Sequence, residues 1–220
     1  MILLTQIKHR VSSDLRLKDI TFSINNNEFV FIFTERKDAL NTLFKILSGR
    51  QRPEEGRIKY FEQGEQKSDI FKKEIGVVYH DNILLPDRSL RDNYRFILEA
   101  AGEGDKYCNI RLQRVLQLVD LDIMGESFPA NLLSHQLVRA NIACALLFYP
   151  SVIILEDPTS ALDEVNARAI LSLLEKLRAL HMTVVLVSSD QRLLVSARKH
   201  RLLYLKEGKI AAEDNMGIYV

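Results

Sequence analysis

The stretch Val152-Ile153-Ile154-Leu155-Glu156-Asp157-Pro158-Thr159-Ser160-Ala161-Leu162-Asp163 constrains this chain more than any other. An apolar run stops at two adjacent carboxylates, and a proline and a Ser-Ala-Leu-Asp turn follow at once. A run without polar alternation reads as a strand buried on both faces, as in a parallel sheet, that delivers its acids to the sheet edge. Such a sheet needs helices on both sides, so an α/β architecture is expected.

The flanking sequence supplies those helices. Residues 2–33 read as short strands, the last being Glu28-Phe29-Val30-Phe31-Ile32-Phe33 after the turn Asn25-Asn26-Asn27. Ala39, Leu40, Leu43, Phe44, Ile46 and Leu47 fall at helical spacing, and Ser48-Gly49 stops that helix. After a charged, hairpin-like region comes a strand over Ile75–Tyr79. Helical patterns then cover about 89–101, 107–119 and 136–148, with breaks at Gly102-Glu103-Gly104 and Phe128-Pro129. A helix near 163–179, the strand Thr183–Val187, a short helix and the strands Leu202–Leu205 and Lys209–Ala212 complete the chain. Three helices without an intervening strand predict an inserted helical subdomain. The expected organisation is one domain over 1–220, with a core of about 1–81 and 149–220 and a helical subdomain of about 82–148.

Composition narrows the function classes. At 220 residues and 47% hydrophobic the chain can bury a full core. Thirty basic against twenty-nine acidic residues leave a net charge of +1, with no field to draw nucleic acid. Cys108 and Cys144 lie in helical patterns without metal spacing and read as buried thiols of a reducing compartment. The longest apolar tract, Ile142–Leu155, is too short to span a membrane and is broken by Pro150. Met1-Ile2-Leu3-Leu4 turns polar too soon for a signal peptide. Any membrane contact is therefore expected to come through a partner.

From about residue 2 to 212 the order of elements resembles an ABC-transporter nucleotide-binding domain, a P-loop NTPase-like (RecA-like) fold with a mainly parallel sheet core, an antiparallel β region and an inserted helical subdomain. Ile75-Gly76-Val77-Val78-Tyr79-His80-Asp81, followed by Leu84-Leu85-Pro86-Asp87-Arg88-Ser89-Leu90-Arg91-Asp92-Asn93, is similar to the FtsE branch of that family, which works with the membrane protein FtsX. Lipoprotein-release and MacB-like ATPases are the neighbouring branches.

The resemblance also exposes departures. A working P-loop, G-x-x-x-x-G-K-[ST], wraps phosphates in backbone amides and adds a lysine and a hydroxyl for the terminal phosphates and magnesium. The matching place reads Thr34-Glu35-Arg36-Lys37-Asp38-Ala39-Leu40-Asn41-Thr42. Both glycines are gone, Leu40 stands at the lysine position, and Glu35 and Asp38 bring negative charge toward an anionic ligand. The residual cofactor-binding candidates are Thr34, Arg36, Lys37, Leu40, Asn41, Thr42 and Ser134, with Arg36, Lys37 and the helix start left to attract an anion. In the family the first acid of the strand-end pair holds magnesium and the second polarises water, in the order Asp then Glu. Here the order is reversed, which leaves Glu156 as the metal candidate and Asp157 one methylene short of the usual base. The resemblance puts His80 at the family's sensing glutamine and Ser189 at its switch histidine. Leu132-Leu133-Ser134-His135-Gln136-Leu137-Val138-Arg139 stands at the signature loop, without its glycines but with Ser134 able to cap the next helix. The adenine-stacking aromatic belongs near His9-Arg10-Val11, where His9 is a weak substitute. Pro158, Arg139 and the Ala143-Cys144-Ala145-Leu146 face keep the family pattern, and random decay would have damaged such core positions as well.

The leading expectation is an FtsE-like pseudo-ATPase with no catalytic residue among the degenerate positions Glu156, Asp157, Ser189 and His80, and no required cofactor. It is expected to dock on an FtsX-like integral membrane protein through His80, Asp81, Leu84, Leu85, Pro86, Asp87 and Arg88. There it would act as a scaffold or coupling element in cell-envelope control, as a homodimer or a heterodimer with another ABC subunit. That places it in the cytoplasm, peripheral on the inner membrane. The alternative is a divergent ATPase that binds ATP and Mg2+ through Thr42, Glu156 and Asp157 and turns over slowly, aided by an intact companion subunit. A free-standing cytosolic regulator is a third reading.

Overall fold

The computed structural model describes residues 1–62, 65–67, 74–103, 108–197 and 199–215. The break expected at Gly104 and the helix start expected at 107 lie outside the described residues. Among the described residues two sheets form. Strands β1 (Ile2–Arg10), β2 (Arg16–Ile24), β4 (Glu55–Glu62) and β5 (Glu65–Lys67) make an antiparallel sheet in the order β2-β1-β4-β5. The larger sheet runs β10-β9-β3-β8-β7-β6, built from β3 (Phe29–Phe33), β6 (Ile75–Val78), β7 (Val152–Glu156), β8 (Thr183–Ser188), β9 (Arg201–Lys206) and β10 (Lys209–Asn215). Its pairings are parallel except that of β9 with β10.

Period-two alternation splits the core. Val30, Ile32, Val152, Ile154, Val185 and Val187 face one cluster, which holds the inner face of the antiparallel sheet and α1 (Lys37–Leu47). Phe29, Phe31, Ile153, Leu155, Val184 and Leu186 face the other. That second cluster takes in α2 (Leu90–Ala100), α3 (Cys108–Leu118), α4 (Ser134–Leu146) and α5 (Glu164–Ala179), while α6 (Leu193–Ala197) adds Leu193. Every residue of β3, β7 and β8 is buried, which is why these strands read as unbroken apolar runs. Each fully buried Leu, Ile or Val contributes about 1.5–3 kcal/mol relative to exposure, so the two clusters hold the sheet from both sides.

Local chemistry sets the element ends. Ser89 accepts the Asp92 N–H to cap α2, and Asp163 accepts the Asn166 N–H to cap α5. The expectation that Ser134 caps α4 is corrected. The cap residue is Leu133, Ser134 is already helical, and the free Leu133 N–H is taken by Gln136 Oε1 at 2.9 Å. Pro129 opens a 3-10 turn over Pro129–Asn131, where only a break was expected. Gly76 lets β6 approach α4 closely, since a Cβ there would lie 2.8 Å from the Ala145 carbonyl oxygen. Cys108 and Cys144 are free and buried, and burial pushes the Cys144 thiol up to about 12. No described helix is long and apolar enough to cross a membrane.

Candidate functional site

Parallel pairing gathers the strand ends. Val78 pairs with Leu155, Glu156 with Val187 and Phe33 with Ser188. Thr34, His80, Asp157 and Ser189 therefore leave their strands on one carboxyl edge, the side on which open α/β sheets bind ligands.

Asp157 is the centre of that edge. It is 6% exposed and sits at φ 44°, a left-handed conformation that Asp tolerates better than most residues. Its carboxylate accepts from Ser188 Oγ at 2.6 Å, from Ser189 Oγ at 2.9 Å and from the Ser189 N–H at 3.3 Å. Its own N–H donates to the Val187 carbonyl at 2.8 Å. Both carboxylate oxygens are thus taken by the end of β8, which makes Asp157 an internal acceptor and not a base facing water. The sequence joined Asp157 to Ser189 only through family correspondence, and it missed Ser188, whose hydroxyl is the shortest donor.

The turn that follows is pinned separately. Arg192 grips Asp190 through two hydrogen bonds of 2.8 Å and donates to the carbonyls of Leu162 at 2.8 Å and Thr159 at 3.1 Å. Burial raises the Asp190 carboxyl, but the hydrogen bonds from the Arg192 side chain and backbone and from Thr159, with the Arg192 charge, together hold the group below its ordinary value. The spacing of Thr159, Asp190 and Arg192 along the chain carries no motif, so nothing in the sequence announced this clamp.

Glu156, beside Asp157, is 8% exposed. Burial raises its carboxyl above the ordinary value, against the smaller opposing effect of a hydrogen bond from the His80 backbone N–H. The His80 ring is exposed, with Nδ1 3.4 Å from the Asp157 carbonyl oxygen. A cavity of about 40 Å³ lies against His80, Asp157, Val138 and Asn141. Asn141 Oδ1 is buried there without a hydrogen-bond partner among the described residues. Ser134 is not among the residues of α4 that line this cavity. Among the described residues no group of three or more His, Cys, Asp or Glu side chains is arranged to hold a metal.

In the loop between β3 and α1, Arg36 is paired with carboxylates of the chain, and a cavity of about 450 Å³ opens beside Asp14, Thr34, Glu35 and Arg36. Arg36, left as an anion-attracting group by the sequence, is committed within the chain. Its Nη1 donates to Asp14 Oδ2 at 2.9 Å and its Nε to Asp38 Oδ1 at 3.0 Å. Ser12 Oγ donates to both acids, at 2.8 Å to Asp14 and 3.2 Å to Asp38. Asp38 also accepts the Ala39 N–H at 2.9 Å, so a carboxylate already sits at the start of α1. The Arg36 guanidinium holds the Asp14 carboxyl down at about 2 and the Asp38 carboxyl below its ordinary value. Leu40, counted above among the cofactor candidates, is corrected: it is 4% exposed and belongs to the apolar cluster under the sheet. Thr34 is buried and lends its hydroxyl to the Arg36 N–H at 3.3 Å, whereas Lys37 and Asn41 are exposed and Thr42 is half-buried. His9 lies in β1 with its Nε2 2.6 Å from Gln51 Nε2. Asp14 and Ser12 were not found by the sequence reading, because they lie in the β1–β2 turn, far along the chain from Arg36.

The loop after β6 is equally ordered. Buried Asn93 accepts the Leu85 N–H at 2.7 Å and donates to the carbonyls of Leu85, Arg88 and Ser89. Of the residues expected to meet a partner, His80, Asp81, Leu85, Pro86 and Asp87 are exposed and Arg88 is half-buried. Leu84 is corrected: it is buried in the helical-side cluster and presents nothing at the surface.

Comparison with known proteins matches this arrangement to one family. The family model described as ABC transporter matches residues 17–160, which run from β2 through the strand-end acids. The chain belongs to the ABC transporter family. As a cassette it is 27% identical over 208 residues to the cell division ATP-binding protein FtsE of Bacillus subtilis, covering 92% of this chain and 91% of that one. FtsE of Mycobacterium tuberculosis is 28% identical over 226 residues, with 100% and 98% covered. Among solved structures, the ATP-binding cassette MJ0796, in a dimeric post-hydrolysis state bound to ADP and Pi, superposes with a TM-score of 0.81 at 25% identity over the full length of both chains. CbiO1 of Clostridium perfringens shares the fold, with a TM-score of 0.82 at 22% identity, covering 97% of this chain and 88% of that one. The cassette therefore has the family's P-loop NTPase-type fold and resembles FtsE over most of its length. MJ0796 is described in a dimeric state and CbiO1 as part of the ABC transporter complex cbiONQ.

Proposed function

We propose that this cassette is a non-hydrolysing FtsE-like subunit that docks on an FtsX-like membrane protein. There it serves as a scaffold or coupling element in cell division and control of peptidoglycan hydrolases. It works on the cytoplasmic face of the inner membrane, as a dimer with itself or another ABC subunit. The observation that carries the reading is the Arg36 network: the one guanidinium of the phosphate loop is bound to Asp14 and Asp38, and Asp38 takes the Ala39 amide in the first turn of α1.

The residues present do not fit Mg-ATP. A triphosphate approaching this loop meets Glu35 and Asp38, finds Leu40 in the apolar core where the family has lysine, and would have to break the Arg36 ion pairs. Asp157 is tied to Ser188 and Ser189 and is not free to polarise water. The docking half of the reading is supported by the ordered, exposed Asp81–Arg88 loop and by the FtsE relatives. Phosphate release by the cassette, alone and with its FtsX-like partner in nanodiscs, is expected to equal the background without protein. Turnover that disappears in the Asp157→Asn variant would contradict the reading.

A further inference from the structure

The cavity of about 40 Å³ lies where α4 meets the end of β6 and the turn after β7. Val78, Val138 and Pro158 give it apolar walls, and Asn141, His80 and Asp157 bring the polar groups. Asn141 is 5% exposed, and its Oδ1 has no hydrogen-bond partner among the described residues. A buried acceptor left unpaired costs about 1–3 kcal/mol, so folded chains meet such groups with a donor of their own or with ordered water. The other polar groups are loosely matched as well. His80 Nδ1 stands 3.4 Å from the Asp157 carbonyl oxygen, longer than a well-formed hydrogen bond.

We infer that this cavity is the site of one bound water, which donates to Asn141 Oδ1 and joins α4 to the loop after β6 and to the turn after β7. Size and charge select the guest. The cavity matches the roughly 30 Å³ that one water takes up in the liquid and lies well below the roughly 300 Å³ of a small-molecule pocket. The Asp157 carboxylate is already spent on Ser188 and Ser189, so it does not offer a counter-charge to a cation. A neutral donor therefore fits where ammonium would lie buried without an ion-pair partner. A buried water makes about three hydrogen bonds, and beside Asn141 the His80 ring and the Asp157 main chain are the polar groups at hand. Asn141 is then a positioning residue that holds the His80 segment against α4 through the water. The inference depends neither on docking nor on the absence of hydrolysis.

The test uses the full chain with isotope-labelled methyl groups and reads nuclear Overhauser cross-peaks between the water line and Val78, which is 2% exposed and shielded from bulk solvent. The wild type is expected to show cross-peaks with the sign of a slowly exchanging water. Asn141→Leu, which fills the cavity with an apolar side chain, is expected to abolish them. Asn141→Ala guards against a Leu variant that does not fold; it is expected to abolish them too, since an apolar cavity stays dry. In that variant the His80 N–H is expected to lose roughly tenfold in protection from hydrogen exchange, the equivalent of about one hydrogen bond. Absence of cross-peaks in the wild type overturns the inference. Cross-peaks that survive Asn141→Ala overturn the role of Asn141, and unchanged His80 protection after their loss overturns the link to the loop. Cross-peaks from isotope-labelled ammonium to Val78 overturn water as the guest.

Discussion

Glu156 and Asp157 are neighbours with opposite environments, and each makes its own prediction. Burial raises the Glu156 carboxyl, so the folded state prefers the neutral acid and is most stable, in this respect, below the ordinary carboxyl value. That contribution is lost as pH rises through the raised value. Glu156→Gln keeps an acceptor for the His80 N–H and removes the charge. It is expected to raise the Tm at pH 7 by about 2–4 °C, as ~1 kcal/mol does in a domain of this size, and the gain is expected to vanish as pH falls below about 4.5. Asp157 is held by three hydrogen bonds at φ 44°. Asp157→Ala strands two hydroxyls and removes the short polar side chain that makes the left-handed conformation tolerable, for a loss of about 2–4 kcal/mol in urea unfolding. Asp157→Asn keeps an acceptor and tolerates the conformation, so it is expected to lose less than half as much. Equal losses would show that the hydrogen bonds and the backbone conformation do not set the stability of this position.

The element that changed most between sequence and structure is α1. Its apolar spacing was plain, and the helix spans Lys37–Leu47 much as the periodicity predicts. The fate of its charged start was not legible, because Arg36 is paired with Asp14 in a different hairpin and no local pattern links the two. Ser134 is not the cap because Leu133 takes the extended cap position, which leaves Ser134 as the first helical residue. Leu40 looked like a lost lysine, but it is also a core residue of α1. Leu40→Lys alone is therefore expected to leave hydrolysis at background and to lower stability by about 2 kcal/mol or more through the buried amine. A stable, hydrolysing single variant would contradict both halves of that prediction. Long apolar strands such as β3, β7 and β8 were legible because burial on both faces removes every polar interruption.

Across the whole molecule, the family fold persists while Arg36 and Asp157 at the sheet edge are committed to partners within the chain. Arg36, Asp14 and Asp38 join the antiparallel hairpin to α1, and Ser188, Ser189 and Asp157 join β8 to β7. Both sets stiffen junctions between elements, a use of polar groups that suits a scaffold more than a site that must admit ligand and water. The helical side keeps a groove of about 280 Å³ beside the loop that Asn93 holds. The central claim is that the guanidinium of the phosphate loop is paired within the chain and does not serve a nucleotide, and the most direct measurement is equilibrium titration of the cassette with labelled ATP and magnesium. No saturable binding is expected up to millimolar nucleotide; micromolar binding that is lost in Glu156→Gln would contradict the account.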